Sequence, residues 1–196
     1  MSIGLLGGFA KGFSLTVPKG DFVRPTSVML RRRLFDSHQN WDDEIFIDLC
    51  AGSGSMAFEA WSRGAAKVEL VEKNAKAITI IKQNAEKLKS SYGTQNDVGE
   101  ILISQMDVIA YFKSLKQRSE SESEVTVFFD PPYEEHKLYL QMVDLLCASP
   151  RFVGTIIIES DTDKGPDKSV FKPLGSYLVK ELRQGASYLL IYNFPL

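Results

Sequence analysis

The sequence predicts an α/β fold: a mostly parallel sheet with helices on both faces, an antiparallel C-terminal edge and a small N-terminal β-hairpin. Three observations carry this. Between residues 44 and 160, short apolar runs rich in Val, Ile and Phe alternate with helical stretches, the pattern of successive strand–helix units. The first of these runs, "EIFIDLC", opens into a glycine turn, "AGSGS", that leads straight into a helix, as ligand-binding turns of α/β sheets do. The last two runs, "GSYLVKELR" and "ASYLLIYNF", are separated by Gln184-Gly185, which pairs them as an antiparallel edge.

Taken in order, Leu5-Leu6, Gly7-Gly8 and "GFSLTVP" read as a glycine-punctuated hairpin. In "RPTSVMLRRRLFDSH", Thr26 can cap a helix whose apolar positions are Val28, Leu30, Leu34 and Phe35. Strand "EIFIDLC" then leads to helix "SMAFEAWSR", and "KVELVEK" to "AKAITIIKQNAEKLK". Strand "EILISQ" precedes "DVIAYFKSLK", and "VTVFFD" precedes "EHKLYLQMVDLLC". "FVGTIIIES" is the last parallel strand, followed by the polar loop "DTDKGPDKS" and the closing pair. The tract "KQRSESESE" is a polar surface loop within the domain. The expected division is a hairpin appendage over residues 1–22 and one larger domain over 23–196.

Composition is that of an ordinary soluble globular chain, with 44% hydrophobic and 24% charged residues. No apolar run approaches membrane-span length, and "MSIGLLGGFAKG" has no long apolar core of the export-signal kind. Cys50 and Cys147 show no metal-ligand spacing and read as reduced core residues of a cytoplasmic protein. The net charge of −2 is unevenly spread. Lys11, Lys19, Arg24, Arg31, Arg32 and Arg33 stand against only Asp21 and Asp36 in the first forty residues, so the one polyanion-facing surface is expected there. Three consecutive helical arginines cannot share a face, so at most two of Arg31, Arg32 and Arg33 can reach a partner.

Gly52 and Gly54 permit the tight turn and close backbone approach of a ligand loop. With Ala57 they fit the relaxed dinucleotide fingerprint, and Glu72 ends the next strand at the distance of a ribose-binding acid. NAD binding therefore fits the glycines. Asp48, at the strand tip just ahead of the loop, favours a cationic ligand such as S-adenosylmethionine (SAM) over a pyrophosphate. At the fourth strand of the alternation, Pro131 and Pro132 end the sheet hydrogen bonding. They present Asp130 and Tyr133 at a strand tip that adjoins the first strand across the topological switch. The Asp130 carboxylate and Pro131 carbonyl can accept both hydrogens of an exocyclic ring amine, and Tyr133 can stack on the base. Adenine N6, cytosine N4, guanine N2 and glutamine amides all suit this arrangement. His136 is expected as an exposed helix-start histidine, and Glu59 and Trp61 as packing or surface residues.

The stretches "LLGGFAKG", "RPT" with Leu34-Phe35, "DLCAGSGSMAFEAWSRGA", "LVEKN", "VFFDPPY" and "IIIES" together resemble, from end to end, the RsmD-type methyltransferases. The resemblance implies a Rossmann-like SAM-dependent methyltransferase fold that methylates a guanine N2 in 16S ribosomal RNA. The substrate would be the small ribosomal subunit or its assembly intermediate, and the enzyme a cytoplasmic monomer with no membrane partner. It implies that Glu72 binds the SAM ribose hydroxyls, that Asp107 lies near the adenine, and that Asp130 to Tyr133 hold the target base. Lys11, Arg24, Arg31 and Arg32 are the candidate RNA contacts. Two departures bear on docking: the family's "RGRKL" is here "KGFSL", without basic groups at Phe13 and Ser14, and Arg32 replaces a usual acidic residue. An adenine-N6 nucleic-acid methyltransferase and a non-catalytic RNA-binding relic of the fold are the alternatives. Glu159 and Ser160 fall in the shared "IIIES" stretch, with no role suggested by chemistry.

Overall fold

The computed structural model describes residues 2–18, 27–38, 41–94, 98–115, 124–148 and 152–195. Strands β3 (Ile45–Asp48), β4 (Lys67–Glu72), β5 (Glu100–Gln105), β6 (Val125–Phe129) and β7 (Gly154–Asp161) run parallel, and β8 (Leu178–Gln184) and β9 (Ser187–Phe194) close the sheet antiparallel. The order is β5-β4-β3-β6-β7-β9-β8. β3 and β6 are therefore neighbours, with Asp48 opposite Phe128, and the chain reverses its winding between them. This is the crevice in which open α/β sheets bind ligands.

Two cores follow from the period-2 alternation of the strands. Phe46, Phe128 and Ile157 face one side, packing with α1 (Val28–Ser37), α2 (Ser55–Ser62) and α3 (Ala75–Tyr92). Ile47, Val127, Phe129, Ile156 and Ile158 face the other, with α4 (Val108–Leu115) and α5 (His136–Cys147). No helix among the described residues is long and apolar enough to cross a membrane.

The N-terminal hairpin, β1 (Ser2–Gly4) with β2 (Ser14–Thr16), shares the first core. Leu5, Ala10 and Leu15 are buried in the same cluster as Phe46 and Leu70. Asn84 of α3 bonds both backbone groups of Thr16 at 2.9 Å, and the Phe9 amide donates to the Ser62 carbonyl at 2.8 Å. Gly8, at φ +71°, lies so close to that carbonyl that a Cβ would fall 1.7 Å from its oxygen. The hairpin is thus built into the domain core, and the expected boundary at 22/23 lies outside the described residues.

Three local expectations change. Ser27 caps α1 by accepting from the Leu30 amide, while Thr26 lies outside the described residues. Val28 is half exposed and Arg31 takes the inward position instead. The strand expected from Gly175 begins at Leu178, because residues Lys168–Tyr177 form a 3-10 helix. Phe171 and Leu174 are its buried residues, and their spacing matches the threefold period of that helix.

Candidate active site

A cavity of about 780 Å³ opens at the carboxyl ends of the parallel strands, within the roughly 300–1,000 Å³ usual for small-molecule sites. Gly52, Glu72, Asp107 and the run Asp130-Pro131-Pro132-Tyr133 all line it. Those predicted positions come from four separate strand ends, and the fold brings them to one space.

Glu72 faces the cavity while organising its floor. One carboxylate oxygen accepts the Gly52 amide at 3.1 Å and the other the Asn74 amide at 2.8 Å. Each oxygen keeps a second lone-pair direction for a diol. Asn74 then caps α3, accepting from the Lys76 and Ala77 amides. Asp107 likewise caps α4 through the Ile109 and Ala110 amides at 2.9 and 3.1 Å. Met106, 43% exposed, offers an apolar wall beside it.

Asp48 and Gly54 are not among the residues lining the cavity. Asp48 is buried and accepts the backbone N–H groups of Cys50 and Ala57. It fastens both ends of the glycine turn from beneath. Gly54 sits at φ +81° as the N-cap of α2, and a Cβ there would lie 2.4 Å from the Phe58 ring. Its role is close packing that shapes the turn.

Burial pushes the Asp48 carboxyl from 3.8 up to about 7; the two amide hydrogen bonds oppose this, and the charges of Glu72 and Glu159 add to it. The folded state then binds more protons than the unfolded state across that window, so folding stability falls as pH rises from about 4 to about 7. Asp48→Asn removes this titration. Chemical denaturation is expected to shift in the variant's favour, relative to wild type, across that interval. A pH-independent gap between the two would contradict the buried, titrating carboxyl.

The Asp130–Tyr133 run is braced from behind. Tyr133 is only 6% exposed; its hydroxyl donates to Glu159 Oε1 at 2.8 Å, and Ser187 Oγ lies 3.3 Å from it. Tyr139 of α5 donates to the Glu159 carbonyl at 2.9 Å and lies 3.5 Å from the Pro131 carbonyl. Burial, with the nearby charges of Glu159 and Asp130, holds the Tyr133 phenol well above its ordinary pKa, so it remains a donor. Glu159, Ser187 and Tyr139 were not expected here. The only signal was for Glu159, which with Ser160 closes the apolar run "III".

Cys50 lines the cavity, and burial, followed by the Asp130, Asp48 and Glu72 charges, keeps its thiol protonated. Cys147 is exposed, against the core position expected. His136 is exposed, and its imidazole bonds the Lys164 carbonyl at 2.9 Å.

Of the candidate RNA contacts, Lys11 and Arg32 are exposed, and Arg24 lies outside the described residues. Arg31 is a correction: it is 1% exposed, and its Nη2 donates to the Gly4 carbonyl at 2.7 Å. A guanidinium committed to the hairpin backbone cannot contact RNA. Arg33 donates to the Arg183 carbonyl. Glu59, expected as packing or surface, is fully buried and accepts from the Leu6 amide at 2.7 Å and from Arg63 Nε at 2.8 Å.

The family profile described as "Conserved hypothetical protein 95" matches residues 3–193. Ribosomal RNA small subunit methyltransferase D of Haemophilus influenzae is 31% identical over 195 residues, covering 96% of this chain and 93% of that protein. The solved structure of yhhF from Escherichia coli superposes with a TM-score of 0.73 at 21% identity, covering 100% of this chain and 99% of that one. An RNA methyltransferase from Salinibacter ruber, in complex with S-adenosyl-L-homocysteine, gives 0.54 at 15% identity over 88% of this chain and 94% of that one. The two structures establish the Rossmann-like methyltransferase fold. The near end-to-end profile match and the H. influenzae relative establish more: the chain belongs to the Conserved hypothetical protein 95 family, the RsmD-type methyltransferases.

Proposed function

We propose that this protein is a SAM-dependent methyltransferase of small-subunit ribosomal RNA, acting on the exocyclic N2 amine of a guanine. The observation that carries it is the shared cavity: Asp130-Pro131-Pro132-Tyr133 faces the same space as Gly52, Glu72 and Asp107. The relative from H. influenzae bears the name of such an enzyme, and guanine N2 follows from the RsmD resemblance.

The lining fits SAM. Glu72 would hold the ribose hydroxyls, Asp107 and Met106 would flank the adenine, and the Gly52 backbone permits close approach of the chain. When bound, the cofactor supplies a methyl group already activated by its sulfonium. The protein's own work is positioning and charge placement. An exocyclic amine is a poor nucleophile because its lone pair is delocalised into the ring. The Asp130 carboxylate and the Pro131 carbonyl accept its two hydrogens and favour a more pyramidal nitrogen. The prolines fix φ at both positions and so aim that carbonyl. Tyr133 offers its ring to a base turned out of its helix.

RNA docking is assigned to exposed Lys11 and Arg32, with Arg24. So few phosphate contacts give weak affinity for naked RNA, which favours the assembling small subunit as substrate. The test is methyl transfer from labelled SAM to naked 16S RNA and to small subunits, with the modified nucleoside identified by mass. N2-methylguanosine, formed faster on the particle, is the expected result; N6-methyladenosine would overturn the substrate assignment.

Glu72→Ala is expected to weaken SAM binding by about 1.5–3 kcal/mol, the worth of charge-assisted hydrogen bonds to a diol. Calorimetry showing unchanged SAM affinity, with NADH bound instead, would remove the methyltransferase reading.

A further inference from the structure

The proposed chemistry needs the Tyr133 ring held square to an incoming base. Two other strands restrain its hydroxyl. Glu159, near the end of β7, is 2% exposed and accepts the Tyr133 hydroxyl at 2.8 Å. Ser187, the first residue of β9, lies 3.3 Å from the same hydroxyl and donates to Asp161 Oδ2 at 3.2 Å. Asp161 accepts in turn from the Asp163 and Lys164 amides, which ties the relay to the loop after β7. Glu159 and Ser187 stand on adjoining strands, in a register that pairs Glu159 with Leu189 and Asp161 with Ser187. The Glu159 backbone carbonyl accepts the Tyr139 hydroxyl at 2.9 Å, and that hydroxyl also lies behind Pro131. One residue therefore touches the supports of both halves of the motif.

A buried carboxylate is costly to retain unless its partners repay it. A ring carrying only stacking would be as well served by phenylalanine. We propose that Glu159 is a positioning residue for methyl transfer: by accepting the Tyr133 hydroxyl hydrogen bond, it locks the tyrosine ring at the cavity wall in the orientation that receives the target base. The proposal rests on the reading of Tyr133 as the base-stacking residue. A consequence is that the Tyr133 hydroxyl is committed inward, so this residue offers the base its ring face.

The test is a double-mutant cycle in methyl transfer to the small subunit, with Glu159→Leu and Tyr133→Phe made singly and together. Each single variant is expected to lower kcat about tenfold or more, since misplacement of about 1 Å can cost a hundredfold. The KM for SAM should remain near wild type. In the Tyr133→Phe background, Glu159→Leu should add little, because residues acting through one bond are not additive. A purely structural glutamate would give the same loss in both backgrounds, and that result overturns the proposal. Glu159→Gln keeps an acceptor for the hydroxyl and should restore most of the lost kcat; no restoration would also overturn it. If Glu159→Leu fails to fold, Tyr133→Phe decides alone, and wild-type kcat in that variant refutes the inference. Tyr133→Ala separates the underlying reading. Full activity there removes Tyr133, and Glu159 with it, from base positioning; a severe loss alongside additive single variants removes only the role of Glu159.

Discussion

Asp130→Ala abolishes methyl transfer, to roughly a thousandth of wild type or less, while SAM affinity stays within a few-fold. Losing one preorganised polar group at a reacting centre costs about 10²–10³ in rate. In the proposed mechanism the same group also orients the amine, so the loss should reach or exceed the upper figure. SAM affinity is spared because the proposed cofactor contacts, Glu72 and the Gly52 turn, stand apart from Asp130 at the ends of β4 and β3. Asp130 stands across the switch, at the tip of β6. The measurement is a tritiated-methyl assay on the particle, paired with calorimetry of SAM. Wild-type turnover would remove Asp130 from the reaction, and a large loss of SAM affinity would move it to the cofactor side.

Glu59→Ala has the largest expected effect on stability. Its carboxylate is fully buried and stands between the Leu6 amide of the hairpin and Arg63. Its charge also opposes the burial that lowers the pKa of Arg31. Removing one partner of a buried ion pair costs about 3–5 kcal/mol, because the remaining charge is left uncompensated. In a chain of this size that corresponds to a melting temperature lower by roughly 10 °C. Glu59→Gln keeps an acceptor for Leu6 and should fall between the two. Urea denaturation placing Glu59→Ala within about 1 kcal/mol of wild type would contradict the bridging role.

The strand–helix alternation was legible because each strand carries enough Val, Ile and Phe to fill two helix-covered faces, and each helix starts at a polar or glycine position. The cavity was legible for a related reason: ligand groups in such sheets sit at strand tips, and Gly52, Glu72, Asp107 and Asp130 each follow or end a readable strand. What stayed hidden depends on pairing across distance. Arg31 looks like surface charge until the hairpin lays the Gly4 carbonyl over it. Glu59 looks like an ordinary helix residue until Leu6 and Arg63 close on it. Asp48 sits at a strand tip, yet the two amides it accepts turn it under the loop. Glu159 acquires meaning only when β7 lies beside β6 and β9.

The antiparallel edge has a consequence for the base platform. Gly52, Glu72 and Asp107, the proposed cofactor side of the cavity, follow or end β3, β4 and β5, whereas Ser187 belongs to β9. The brace behind Tyr133 is finished only when β9 lies between β7 and β8. Displacing β9 would remove the Ser187 side of that brace, so the setting of the base platform depends on an edge pairing outside the strands whose tips line the cavity.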